Sequence, residues 1–254
     1  MNLFKRKLLS LARKLNLLQK INCNKFIFYF LFGLKNKYGQ FKININTNCL
    51  VLSQYPGAET KGLGGLIAQY PKNFEVLCFT NGSTMIPELD PVTCASVKKQ
   101  QFTDVMKERR VKGFKIFDID DKTLKNHFST FRKIDISDAD YIFVPNVYDS
   151  NPDTIALLKH FKALLDEKEH KKDLKIVMFE SDFPLCYQDY CVNISSIIGT
   201  KRKMLSQYYP QDKFPHVVEK TIGLNAFRSL QFNCDFTEAF MVFDEESFYN
   251  IPLI

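Results

Sequence analysis

The hydrophobic positions after residue 48 alternate between short apolar runs and longer amphipathic segments. The apolar runs predict strands at 49–52, 74–80, 114–118, 141–145 and 174–180. The segments between or after them predict helices from residue 64 to 70 and at 94–110, 152–167 and 195–209. Strands that alternate with helices form mostly parallel sheets covered on both faces. We therefore predict an α/β fold with a Rossmann-like, mostly parallel sheet flanked by helices.

The first 45 residues have a different pattern, and we predict that they form an arm before a domain at 46–254. Five apolar residues recur at alternating steps of four and three: Phe4, Leu8, Leu11, Leu15 and Leu18. This spacing places them on one face of a helix. A nine-residue apolar run follows at 26–34, whereas a helix that crosses a bilayer needs about 20 residues. The arm is therefore predicted to be amphipathic and too short to cross a membrane alone.

The charge along the chain is divided between this arm and the body. The formal net charge is +7, but ten basic residues and no acid precede Glu59, and acids outnumber bases after it. A basic nucleic-acid-binding surface across the domain is therefore not predicted. The arm favours contact of residues 1–34 with an anionic membrane surface, where each basic residue contributes about 1 kcal/mol. Docking of the arm on the domain and binding to a partner protein are the alternatives that the sequence leaves open.

The cysteines indicate a reducing compartment. There are seven, an odd number, with no Cys-x-x-Cys pair, so they do not form the framework of a disulfide-rich protein. No signal peptide is evident, because basic residues interrupt the first apolar stretch and no small-residue cleavage site follows. We therefore expect a cytoplasmic protein, with peripheral attachment to the inner face of the membrane where the arm binds lipid.

The loop after the first predicted strand is rich in glycine. It contains Gly57, Gly62, Gly64 and Gly65. A dinucleotide-binding G-x-G-x-x-G motif that began at Gly62 would need a third glycine where Ile67 stands. A phosphate-binding loop would need a Lys-Ser or Lys-Thr pair after the glycines, and none follows. The loop therefore matches neither nucleotide-binding motif.

This loop and a second one resemble two motifs of the LmbE/PIG-L-like de-N-acetylases, which remove acetyl groups from N-acetylglucosamine-type sugars. The first family motif, Pro-His-Pro-Asp-Asp-Glu before a glycine-rich stretch, is matched in frame by residues 54–59 and the glycines after them. The second, around His-Pro-Asp-His, is matched by residues 151–154. Later matches follow at 192–195, Lys201, 210–211 and 238–240. The resemblance covers residues 47–243 and implies a Rossmann-like fold that binds an N-acetylated sugar.

The catalytic positions of that family are replaced in this chain. In the family, a divalent metal, usually zinc, is held by the His and second Asp of the first motif and the final His of the second. The first Asp is the general base, and a further His stabilises the oxyanion. The resemblance carries these five positions onto Tyr55, Ala58, Thr154, Gly57 and Asn151, in that order. Gly and Ala have no donor atom, and Thr and Tyr offer neutral hydroxyls at neutral pH. We therefore predict no catalytic residue, no metal ligand and no cofactor.

Other polar residues of the two loops remain suited to a sugar. We predict seven ligand-binding residues: Gln54, Tyr55, Glu59, Lys98, Asp149, Asn151 and Asp153. The resemblance suggests that Lys98 replaces a substrate-binding Arg. Amides, phenols and carboxylates bind sugar hydroxyls, and aromatic rings stack on sugars. For Glu59, Asp149 and Asp153 a structural role at a turn or helix start is the alternative.

Two functions remain open on the sequence. The first is a non-catalytic protein that binds an N-acetylated sugar, glycan or glycolipid, or an accessory protein of surface-polysaccharide assembly. The second is an active hydrolase or deacetylase of N-acetylated sugars that uses relocated ligands and zinc. The chain has only four His, and no two have ligand spacing on one helix face. The sequence therefore favours the first function.

Overall fold

The computed structural model describes residues 38–253, and within that range seven strands form one sheet with helices on both faces. The strands are β1 (Cys49–Ser53), β2 (Phe74–Thr80), β3 (Gly113–Ile119), β4 (Tyr141–Pro145), β5 (Lys175–Phe179), β6 (Tyr190–Asn193) and β7 (Thr237–Phe243). The helices are α1 (Ala58–Gln69), α2 (Pro91–Arg109), α3 (Phe128–Phe131), α4 (Pro152–Glu167), α5 (Ile198–Tyr208), α6 (Val217–Arg228) and α7 (Glu245–Tyr249).

The order of strands across the sheet is β3-β2-β1-β4-β5-β7-β6. The five strands from β3 to β5 pair in parallel, while β7 runs antiparallel to both β5 and β6. The sheet is thus mixed and mostly parallel. This confirms the predicted fold class.

Alternate residues of the strands enter two separate cores, one on each face of the sheet. Leu50 and Leu52 of β1 pack on the face that α4 and α7 cover. Val51, between them, packs on the face covered by α1, α2, α5 and α6. Because both faces are buried, the central strands β1, β4 and β5 are almost entirely apolar instead of alternating with polar residues. This is why short continuous apolar runs marked them in the sequence.

Most predicted elements match the structure closely, and the differences lie at the ends. Helix α4 covers the predicted range 152–167, and β5 differs from its predicted range by one residue at each end. Helix α1 begins at Ala58, six residues earlier than predicted. Strands β6 and β7 and helices α3, α6 and α7 have no counterpart among the predicted elements.

Helix α1 is kinked at Leu63, and the glycines around the kink allow close packing. A Cβ atom on Gly62 would lie 2.3 Å from the ring of Phe179. Beyond the kink, the N–H groups of Gly65 and Leu66 donate to the buried carboxylate of Glu238, at 2.7 and 2.8 Å. The glycine-rich stretch therefore allows α1 to pack closely against β5 and β7.

The predicted arm lies mostly outside the described residues. Its last part, from residue 38, contacts the sheet: Gly39 pairs with Tyr190, and the ring of Phe41 lies 5.4 Å from that of Tyr141. In the described part of the chain, no helix is both long enough and apolar enough to cross a membrane. The boundary between arm and domain stays a prediction.

Candidate functional site

A cleft of about 480 Å³ lies at the carboxyl edge of the parallel strands. Loops after β1, β2, β3, β4 and β5 line it, together with the segment between α5 and α6. Its lining residues include Tyr55, Lys61, Asp149, Asn151, Asp153, Asp182, Phe183, Tyr209 and Phe214. Ligands of open α/β sheets bind at this edge. The two loops that resemble the family motifs therefore meet in one cleft.

The carboxylate of Glu59 stabilises the turn between β1 and α1 through hydrogen bonds. Its carboxylate accepts hydrogen bonds from the N–H of Gly57 at 3.0 Å and from the hydroxyls of Ser53 and Thr60 at 3.1 and 2.9 Å. Burial raises the pKa of Glu59 above its usual value. The side chain is fully buried and does not line the cleft. Glu59 thus stabilises the first turn of α1, where a carboxylate is favourable.

Tyr55, Lys61 and Asp182 form a hydrogen-bonded group in the wall of the cleft. The hydroxyl of Tyr55 donates to Oδ2 of Asp182 at 2.5 Å, and Nζ of Lys61 donates to Oδ1 at 2.6 Å. Nζ of Lys61 also donates to the Tyr55 hydroxyl at 3.1 Å. Burial raises the pKa of Tyr55 well above its usual value, and the charge of Asp182 adds to the shift. The phenol therefore stays neutral at physiological pH.

The loop between β4 and α4 supplies three polar side chains. Asn151 is the N-cap of α4 and accepts from the N–H of Asp153 at 2.9 Å. Asp149 accepts from the N–H of Asn151 at 2.9 Å and from Ser181 Oγ at 3.0 Å. Asp153 accepts from the N–H of Lys122 at 2.6 Å. Burial raises the pKa of both Asp149 and Asp153. Each of these side chains therefore accepts a hydrogen bond that stabilises the loop, and each also lines the cleft.

The two other predicted ligand-binding residues lie behind the lining. Gln54 is fully buried, and its amide donates to Asp149 at 3.4 Å and to Ser181 at 3.3 Å. Lys98 is also fully buried and donates to the backbone oxygen of Tyr208 at 2.8 Å. Burial lowers the pKa of Lys98 to about 8. Neither residue lines the cleft, and each makes its hydrogen bonds to other protein groups behind or beside the lining.

The positions that correspond to the family's metal ligands do not fit a metal. Tyr55 presents a phenol bonded to Asp182, Ala58 has no side-chain donor, and Thr154 is fully buried with a neutral hydroxyl. Gly57, at the position of the general base, has no side chain either. A catalytic zinc ion needs about three nitrogen, sulfur or carboxylate ligands and an open position. Among residues 38–253, no three His, Cys, Asp or Glu side chains are grouped so that they could hold a metal ion.

Lys61, Asp182 and Tyr209 are cleft residues that the sequence reasoning missed. Nζ of Lys61 lies 4.9 Å from the centroid of the Tyr209 ring, and burial raises the pKa of Tyr209 to about 12. Asp182 follows β5 by three residues. The carboxyl ends of parallel strands share one edge, so the loop after the fifth predicted strand was a signal that could have identified Asp182.

The fold of this chain is similar to that of three solved structures, each 15% identical to it in sequence. N,N'-diacetylchitobiose deacetylase from Pyrococcus horikoshii matches with a TM-score of 0.62, over 98% of this chain and 96% of that protein. A conserved protein of Thermus thermophilus matches with a TM-score of 0.61, over 77% and 94% of the two chains. A 4-carboxy-2-hydroxymuconate hydratase from Pseudomonas putida matches with a TM-score of 0.63, over 78% and 96%.

No protein-family model and no curated protein sequence matches this chain. The likeness is therefore one of fold. That fold is shared by proteins named for two different reactions, deacetylation and hydration, so function has to be argued from the cleft.

Proposed function

We propose that this chain is a non-catalytic relative of the LmbE/PIG-L-like de-N-acetylases that binds an N-acetylated sugar, glycan or glycolipid in its cleft. The proposal rests on a contrast between two features of the cleft: it has side chains suited to a sugar, but it lacks the groups that hydrolysis needs. Polar groups and aromatic rings suited to sugars line it. Yet Gly57 and Ala58, which stand where the family has its general base and a metal ligand, have no group that could hold a metal or accept a proton. The fold likeness to a deacetylase of an N-acetylated disaccharide supports the choice of ligand.

The size and chemistry of the cleft support a sugar. Its volume of about 480 Å³ falls within the range of about 300 to 1,000 Å³ of small-molecule sites. An ionised carboxylate has about four acceptor positions, so Asp149 and Asp153 can bind sugar hydroxyls in addition to their protein donors. The rings of Phe183, Tyr209 and Phe214 offer apolar faces for stacking.

The same groups are poorly suited to hydrolysis of an amide. That reaction needs a general base near neutral pH and a donor or cation that stabilises the oxyanion. The Tyr55 hydroxyl donates its proton to Asp182, and Asp149 and Asp153 already accept hydrogen bonds from backbone N–H groups. Lys61, a cation of the lining, is paired with Asp182. An active hydrolase with relocated ligands would need three donors around one point, and no observation on the described residues favours it.

The proposal extends to location and role. We expect residues 1–34 to attach the protein to the inner face of a membrane, because their basic and apolar residues are segregated as in interfacial helices. A sugar-binding protein held at that surface is suited to an accessory role in the assembly of surface polysaccharides. This role rests on the family resemblance and on the charge of the arm.

The test is calorimetric titration of the full chain with N,N'-diacetylchitobiose, using two matched Phe→Ala variants. Phe183 lines the cleft and its side chain is 44% exposed, whereas Phe227 is 61% exposed outside the cleft. We expect Phe183→Ala to weaken binding about 3- to 10-fold, the loss of one aromatic contact. Phe227→Ala should bind like the unaltered protein. Absence of binding, or equal weakening by both variants, would contradict the proposal.

A further inference from the structure

The side chain of Lys61 ends beside the residue that stands at the family's first metal-ligand position. Lys61 lies one turn into α1, where its N–H donates to the backbone oxygen of Gly57 at 3.1 Å. Its Nζ lies 3.1 Å from the Tyr55 hydroxyl and 2.6 Å from Oδ1 of Asp182. The Tyr55 hydroxyl donates to Oδ2 of the same carboxylate. The ammonium, the phenol and the carboxylate therefore form a closed ring of three hydrogen bonds.

Aromatic rings enclose the same ammonium group. Nζ of Lys61 lies 4.9 Å from the ring centroid of Tyr209 and 5.3 Å from that of Tyr55, within the range of cation–π attraction. The Lys61 side chain is 12% exposed, whereas that of Asp182 is 35% exposed. The cation is thus fixed by one full charge, one hydroxyl and two ring faces.

We propose that the ammonium group of Lys61 is a permanent internal cation that takes the place of a metal ion in this cleft. The side chains of Tyr55, Ala58 and Thr154, which correspond to the metal ligands of the family that the loops resemble, do not fit a metal. Four carboxylates line the cleft, those of Asp121, Asp149, Asp153 and Asp182, and a positive charge among them reduces their mutual repulsion. A tethered lysine supplies that charge without a bound ion. The inference concerns the folded protein alone and does not depend on which ligand binds.

The charges around the cleft explain why this cation matters to stability. Apart from Lys61, the basic residue of the lining is Lys122, which is exposed. Removal of Lys61 leaves Asp182 without the cation that it pairs with. The buried Lys98, whose Nζ lies 5.3 Å from the centroid of the same Tyr209 ring, remains behind the lining. Removing one partner of an enclosed ion pair costs more than removing a partner of an exposed one, because the remaining charge is less solvated.

The test compares thermal unfolding of the full chain with that of Lys61→Met and a matched control, Lys99→Met. Lys99 pairs with Asp118 at 3.0 Å, but these side chains are 35% and 67% exposed. We expect Lys61→Met to lower the unfolding midpoint by about 3 to 8 °C and Lys99→Met by about 1 °C or less. Equal shifts for both variants would overturn the inference.

A second variant tests whether the vacated position is a cation site. In Lys61→Ala, about 50 mM methylammonium should restore at least half of the lost stability, whereas sodium at equal ionic strength should not. No selective recovery would overturn the inference.

The unaltered protein provides a measurement that needs no folded variant. After incubation with zinc and gel filtration it should retain less than about 0.1 equivalent of zinc, and EDTA should leave its unfolding midpoint unchanged. Tightly held zinc near one equivalent would show that the position is open to a metal.

Discussion

The hydroxyl of Tyr55 donates a 2.5 Å hydrogen bond to Asp182, a residue 127 positions later in the chain. The neighbouring Gln54 bonds both Asp149 and Ser181. Gln54 and Tyr55, the two residues that follow β1, therefore connect the loops after β4 and β5 through hydrogen bonds. The cleft is shaped by these bonds before any ligand binds, which reduces the ordering that binding requires.

Gly57 should tolerate no side chain. Its φ of 99° lies in the left-handed region, and an added Cβ would lie 2.8 Å from the hydroxyl oxygen of Tyr209. We expect Gly57→Ala to lower the free energy of unfolding by about 1 to 3 kcal/mol. The control is Gly199→Ala in α5, where nothing lies within 4 Å of the added atom. That variant should be neutral or stabilising by about 0.5 to 1 kcal/mol.

Urea unfolding of both variants checks this pair. A Gly57→Ala variant as stable as the unaltered chain would mean that Tyr209 moves away freely. If the loss is observed, placing at position 57 the Asp of the motif that this loop resembles would also require a change at Tyr209.

The buried pair of Lys201 and Glu238 should be essential for stability. Their charged atoms lie 2.7 Å apart, and both side chains are fully buried. Glu238 also accepts the N–H groups at the kink of α1. We expect Glu238→Gln to cost about 3 kcal/mol, because it leaves a buried ammonium without its counter-ion.

The matched control for that variant is Glu167→Gln. Glu167 pairs with Arg132 on the surface, where the side chains are 37% and 60% exposed. Its replacement should leave the urea midpoint within error of the unaltered protein. A Glu238→Gln variant that also unfolds at the unaltered midpoint would contradict the assigned role of this pair.

Lys98 should give the protein a stability that rises at alkaline pH. Burial lowers its pKa to about 8 in the folded protein, below the value of about 10.4 for an exposed lysine. The unfolded chain therefore binds more protons between about pH 8 and pH 10, and stability increases with pH across that window.

Comparison with Lys98→Met separates this contribution from that of the groups that titrate alike in both proteins. The free energy of unfolding of the unaltered protein, relative to the variant, should rise by on the order of 2 kcal/mol from pH 7 to pH 10. A difference that is constant across this range would mean that Lys98 keeps the pKa of an exposed lysine.

The parts of the fold that depend on local pattern could be predicted from the sequence. The apolar runs of the parallel strands and the Asn151-Pro152 start of α4 are local signals. Strand β7 was not predicted, although its segment 239–243 is an apolar run of the same kind and all seven of its residues are buried. Its antiparallel pairing with β5, more than 60 residues earlier, is the part that a local pattern does not contain.

In the candidate site, too, residues in local sequence motifs could be predicted, whereas residues brought together by the sheet topology could not. Tyr55, Asp149, Asn151 and Asp153 were found because they lie in the two motif-like loops. Asp182 was missed because its place beside Tyr55 depends on the order of strands across the sheet. The placement of the amphipathic arm stays a prediction, because residues 1–37 lie outside the described part of the chain.

The central claim is that the cleft binds an N-acetylated sugar without hydrolysing it, and one NMR experiment tests both halves. The purified full chain, supplied with zinc, is mixed with N,N'-diacetylchitobiose, and the acetamide and free acetate methyl signals are followed over a day. We predict saturation transfer from the protein to the sugar and no free acetate above a protein-free control. Zinc-dependent release of acetate that stops upon chelation, or absence of saturation transfer, would contradict the claim.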